Sequence, residues 1–236
     1  MKSMKKWIGL SMAALALAGC ASAPSMLKAS QVGNVAIMAV TTMDSIGWYG
    51  ESRNHGLVGN ALKQAADAKR GEDCVALAAR ADASLRDAMA GKQIAVVDPS
   101  KLQQAAVYAG ASEDAMTKAA GIVAGKGYRV LNFAKGDLTK KLAGEVGFST
   151  GVTAFLDINK MMAGGVGQNG VANACVTMTV IAYDANGKAV LQKSYFGKSK
   201  TGFKVLMGAY SSEELMKACP EAIDDAVAKF AADLAN

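Results

Sequence analysis

Histidine is almost missing from this chain: His55 is the single one in 236 residues. No H-E-x-x-H zincin motif and no G-x-S-x-G nucleophile elbow occurs either, so the common hydrolase constellations have no frame here. Cysteine is scarce as well, with Cys20, Cys74, Cys175 and Cys219 far apart in sequence. With so few soft ligands at such wide spacing, no metal site is expected, and nothing in the chain calls for a cofactor. Prolines number three and aromatics make up 6%, so the interior must be packed largely from small and aliphatic side chains. No stretch beyond the first twenty residues reaches the roughly 18 apolar residues of a membrane-spanning helix. The formal charge of +6 includes Lys2, Lys5 and Lys6 in the first 19 residues, which hold no acid. The remainder carries only +3, which removes the case for nucleic acid as a partner.

Those first residues are the most legible part. A basic start gives way to the apolar run from Trp7 to Ala18, too short to span a bilayer, and then to Leu17-Ala18-Gly19-Cys20. This resembles the lipobox of bacterial lipoproteins: a leucine, two small residues for a signal peptidase, then a cysteine whose sulfur takes the lipid. The alternative is an ordinary secretory signal with a chance cysteine. The expectation is a signal peptide over 1–19, a lipidated tether over 20–32 and a single α/β domain over 33–236. Two or more acyl chains on Cys20 would hold firmly where one would not. Ala21, rather than Asp, resembles an outer-membrane address, with the body facing the periplasm.

In that oxidising compartment the three remaining cysteines predict one disulfide and one thiol. Cys74 and Cys219 each sit near an end of an amphipathic helix, which favours a Cys74–Cys219 bridge over the two other pairings. Cys175 then lies inside a strand as a small apolar thiol.

Along the body, Val35–Val40 is an apolar run of strand length, and Thr41–Asn60 reads as a loop leading to a helix. That loop gathers Trp48, Tyr49 and His55 among glycines, which makes it the candidate partner-binding patch. Trp48 could instead plug the core. Helical periodicity runs from Asp73 to Ala90, with Gly91 as its stop. Gln93–Val97 predicts a strand, Ser100 a helix cap, Ser112 with Glu113 and Asp114 a second cap for a helix to about Ala124. Tyr128–Phe133 predicts a third strand and Asp137–Val146 a helix. From residue 150 strands follow one another, Val152–Asn159 and Ala172–Tyr183, and Asp184-Ala185-Asn186-Gly187 turns tightly into Lys188–Phe196. Ser211–Asn236 predicts a terminal helix that breaks or starts at Pro220. The fold class is therefore α/β: a mixed sheet with helices packed on it and an antiparallel hairpin in the C-terminal half.

Gly165-Val166-Gly167-Gln168-Asn169-Gly170 matches G-x-G-x-x-G, but a strand follows it where a nucleotide site needs a helix. It reads as a loop between antiparallel strands. Asp224-Asp225 reads as a solvated helix face, while Asp98 and Asp157 end or interrupt strands, where acids can catalyse, with no sequence pattern that pairs them. Lys188, Lys193, Lys198, Lys200 and Lys204 make the last strand basic, either to meet an anionic partner or to protect a sheet edge.

The order of lipobox, strand Val35–Val40, helix, Ile94–Asp98 with Ser100-Lys101-Leu102, then Val176–Ser194 with its D-x-N-G-K turn, resembles one family of envelope lipoproteins. It includes the curli secretion channel subunit and the penicillin-binding-protein activator lipoprotein. The resemblance implies the fold; it carries over no functional residue, and Tyr128–Val146 is an insertion. The expected function is a non-enzymatic outer-membrane lipoprotein that binds another envelope protein as an accessory or assembly factor. A homo-oligomeric subunit of a secretion or transport complex is the alternative, and an enzyme acting on envelope polymers is the third.

Overall fold

Nine consecutive residues, Val35–Met43, form β1, and its apolar run is buried on both faces. That is what a central parallel strand requires. The computed structural model describes residues 32–50, 70–166 and 169–234. Gly47–Trp48 is β2, Gly71–Gly91 helix α1, and Pro99–Gln104, Ala106–Gly110 and Ala115–Ala119 the short helices α2, α3 and α4. Ile122–Ala124 is β3, and Asp137–Val146 is α5. Three long strands follow, β4 over Thr150–Val166, β5 over Asn169–Asp184 and β6 over Ala189–Leu206, then β7 at Ala209–Tyr210 and helix α6 over Ser212–Asp233. The sheet order is β3-β1-β4-β5-β6-β7, with β2 alongside β4. β1 and β4 run parallel, and β4, β5 and β6 form antiparallel ladders. A mixed sheet with helices packed on it is the predicted α/β class.

Two cores lie on opposite faces. On one, α1 presents Leu77, Ala81 and Leu85 and α6 presents Ala218, Ile223 and Phe230 to Leu156, Val176 and Met178 of the long strands. On the other, Leu102, Tyr108, Leu142 and Phe148 pack against Ala36 and Met38 of β1. The faces of β5 follow the expected alternation, with Val176, Met178, Val180 and Ala182 all on the first core.

Several predicted elements take other forms. Gln93–Val97 is not a strand: Gln93 turns left-handed at φ 59°, and only Val96 bridges Val35. Pairing ends there because Asp98 already caps α2, accepting from the Ser100 backbone N–H at 2.8 Å, with Pro99 at the first helical position. Asp98, not Ser100, is the cap. Likewise Asp114, not Ser112, caps α4, accepting from the N–H groups of Met116 and Thr117. The helix stops at Ala119 rather than Ala124, since Gly121 turns at φ +81° and the chain then pairs with β1. Tyr128–Phe133 is a strap instead of a strand. Its side chains spread into both cores, and its backbone groups bond elsewhere: Val130 O accepts from Asp114 N, and Arg129 N donates to the Tyr108 hydroxyl. Pro220 neither breaks nor starts α6, which runs through it. In the 184–187 turn only Gly187 has positive φ, at 81°, and the Asp184 carboxylate accepts from the N–H groups of Asn186 and Lys188.

Candidate binding surface

The far ends of the three long strands form an arm in which β5 and β6 still bring Ala172, Phe203 and Val205 to the first core. β4 from Met162 to Val166 is exposed, and neither acid, base nor proline occurs from Met161 to Tyr183. At its end the β6–β7 turn places Met207 at φ 50° and Gly208 at φ 79°. Two successive left-handed residues make a tight hairpin turn, where methionine is a poor occupant. The Asn169 carboxamide oxygen accepts from Met207 N at 2.7 Å, tying this turn to the start of β5. Val166, the last residue of β4, is 86% exposed, and Leu206 at the end of β6 and Met207 in its turn are 66% and 85% exposed. The glycine-rich stretch predicted as a loop belongs largely to strands, and residues 167–168 lie outside those described. Gly165 and Gly170 face each other, each with space for no Cβ: one built on either would come within 2.0 Å of the other strand's backbone.

At the base of the arm Lys160 is buried beside β2. Its ammonium donates to Ile46 O at 3.0 Å and to the Tyr210 hydroxyl at 2.8 Å, and it lies 4.4 Å from the Tyr210 ring centre and 5.2 Å from that of Trp48. A buried ammonium is tolerable only with such acceptors and ring faces around it. Arg70 joins from the start of α1, its guanidinium 5.4 Å from the Tyr210 ring and hydrogen-bonded to the Ser212 hydroxyl at 2.9 Å. One ring therefore ties the starts of both long helices to the sheet.

Of the predicted binding patch, Trp48 is half-buried and edge-on to Tyr210 at 6.2 Å. Its environment is that of a packed plug. Tyr49 is 52% exposed and lies on the other side, edge-on to Phe196 at 5.4 Å. The two adjacent aromatics of one strand end point to opposite faces, as strand alternation demands. His55 and Cys20 lie outside the described residues. The Cys74–Cys219 bridge is not formed: Cys74, Cys175 and Cys219 are all buried thiols. The helix placement behind that pairing holds, but the cysteines serve as small apolar packing groups. Burial pushes the Cys219 thiol up to about 12, with Cys74 and Cys175 nearby adding to the shift and Arg70 and Lys160 opposing it. Burial likewise pushes Cys175 up to about 11. Such thiols are poor nucleophiles.

The remaining candidate groups are engaged structurally. Asp224, on a half-exposed face of α6, accepts from Arg80 at 2.6 Å and from the Ser84 hydroxyl at 2.7 Å, pinning α6 to α1. Asp225 accepts from the Lys198 backbone N–H at 3.0 Å, and Glu221 from those of Lys200 and Thr201 at 3.0 and 2.9 Å. Lys229 returns a bond to Phe196 O at 2.7 Å. In the lysine stripe Lys193 is ion-paired to Asp233. The β6 edge is thus covered by side chains of α6, a stronger device than the lysines alone. Among the described residues no group of three or more histidines, cysteines or acids is placed to hold a metal. Lys160, Tyr210 and the Leu206–Met207 turn were not singled out by sequence, although the lack of charge from Met161 to Tyr183 was a visible signal. No protein-family model, curated protein or solved structure matches the chain.

Proposed function

We propose that this chain is a lipid-anchored envelope protein that binds another envelope protein as a non-enzymatic accessory or assembly factor. Cys20 of the Leu17–Cys20 lipobox would carry the lipid in the outer membrane, and the body would face the periplasm. The observation that carries the binding part is the apolar Leu206–Met207 turn at the end of the arm, with Leu206 66% and Met207 85% exposed. A strained methionine held almost fully in solvent costs stability locally, which is a common mark of a surface kept for contact. Its alternative, the homo-oligomeric subunit, is favoured by the outer edge of β4 beyond Lys160, where no strand lies alongside among the described residues.

Two measurements test this. A palmitate analogue should label the wild-type chain in cells and not Cys20→Ser; label persisting on the variant would sink the anchor. A photo-crosslinking residue at Met207 should capture one partner in cells. Met207→Asn keeps the turn, because asparagine accepts left-handed backbone, so in an otherwise unchanged fold it should weaken that partner's co-purification. Crosslinks no richer from Met207 than from Lys188, at the other end of β6, would refute the surface.

A further inference from the structure

We propose that a second copy of this chain pairs, strand to strand, with the outer edge of β4 between Met161 and Val166. On its inner side this stretch pairs with β5. On its outer side β1 reaches Leu156, β2 covers Asn159 and Lys160, and Tyr49 N donates to Lys160 O at 2.8 Å. Beyond Lys160, among the described residues, no strand lies alongside. An exposed edge is a row of backbone donors and acceptors ready for another strand, and proteins usually guard it with charge, proline or a covering element. None of the first two is present here. The contrast lies within the molecule: the opposite edge, at β6, has Asp225, Glu221 and Lys229 bonded to its backbone.

Three features select a copy of the same chain. A two-fold axis sets a strand antiparallel to itself, so it succeeds only where the segment brings no like charges together, and Met161–Val166 has no charge. The open length also closes on itself. With Ala163 as the bulged residue and the axis on Gly164, Met161 of one copy faces Val166 of the other, and β2 of each copy stops further overlap. Finally, exposed apolar groups mark both ends of this edge, Tyr49 at 52% and Val166 at 86%, with Met162 at 37% between them. The same pairing covers all three. The Leu206–Met207 turn, two strands away, stays open for the partner proposed above, so the two bindings coexist. Six residues a side fall well short of the ~800 Å² per partner of a standard interface, and the register shift at Ala163 divides the ladder. The association is therefore weak in solution and stronger where copies share a surface. It does not depend on the lipid anchor.

Disulfide trapping tests the register. Full-length Met161→Cys and Val166→Cys chains with different tags are expressed together, and the cells are treated with copper phenanthroline. Facing residues of antiparallel strands fall within bridging distance, so a mixed dimer should form in reducible yield. The wild-type chain and a pair carrying Ala185→Cys should give none. Gly164→Lys, where an added side chain meets nothing within 4 Å, brings two cations to the axis and should cut the trapped dimer at least tenfold. The idea is overturned if no 161–166 dimer forms, if Gly164→Lys leaves its yield unchanged, or if those cysteines trap a different protein instead.

Discussion

Lys160 shows how one side chain can hold an irregular corner. Its position near the end of β4 puts it on the face of the first core, where an unpartnered ammonium would be costly. Ile46 O, the Tyr210 hydroxyl and two ring faces meet it there. Lys160→Met keeps most of the volume but strips Ile46 O and the Tyr210 hydroxyl of their donor. We expect a loss of about 1–3 kcal/mol, the cost of unsatisfied buried groups, read as a lower urea midpoint at unchanged slope. A midpoint equal to wild type would mean that packing of the stem is all that matters. The residue scale is also where sequence misled most. Cys74 and Cys219 were placed on the correct helices, yet both are thiols buried in the first core.

At the scale of elements, the contact between α6 and β6 decides most. Gly197 lies under the helix, and a Cβ there would come within 2.0 Å of Ala222 O and 2.6 Å of Ala226 N. Helix backbone therefore rides directly on strand backbone, which is why α6 carries Ala218, Ala222 and Ala226 on this face. Gly197→Ala should lift the helix and cost about 3 kcal/mol or more by overpacking, seen as a drop in the thermal midpoint of several degrees. The same helix closes the sheet edge by charge. The Thr201 hydroxyl and N–H and then the Lys200 N–H hold the Glu221 carboxyl below its ordinary 4.5. Burial opposes the shift at Asp225, but Lys229 and the Lys198 N–H still hold that carboxyl low. A depressed folded-state pKa adds stability that is present above the ordinary carboxylate range and lost as pH falls through the depressed value. Stability should thus decline below about pH 4.5, and Glu221→Gln should flatten that decline while lowering stability at neutral pH. An unaltered acid limb in urea titrations of Glu221→Gln would remove Glu221 from the account.

For the molecule as a whole, β1 binds the two faces together. Val35 and Ile37 enter one core, Ala36 and Met38 the other, so neither face can lose its packing without disturbing the strand they share. Unfolding is expected in a single transition, with far-ultraviolet dichroism and tyrosine fluorescence superimposing in urea. Phe148→Ala, on the second core, should shift both signals equally; separate midpoints would divide the chain into two units.

Fold class, the long helices and the succession of strands were determined by sequence alone, because apolar periodicity over ten or more residues leaves one way to bury a face. The lipobox reading rests on sequence too, since it concerns covalent chemistry rather than packing. Short elements were decided by tertiary structure. Gln93–Val97 and Tyr128–Phe133 have strand-like composition, but the Asp98 cap and Pro99 turn the first into α2 after one bridge to Val35, and the second bonds to groups such as the Tyr108 hydroxyl instead of a strand. Ile122–Ala124 pairs with β1 despite following a helix signal, because Gly121 reverses the chain beside Asp44. The arm likewise required three dimensions. Met162, Leu206 and Met207 are unremarkable in sequence, and only the register of β4, β5 and β6 brings them to one end of the sheet.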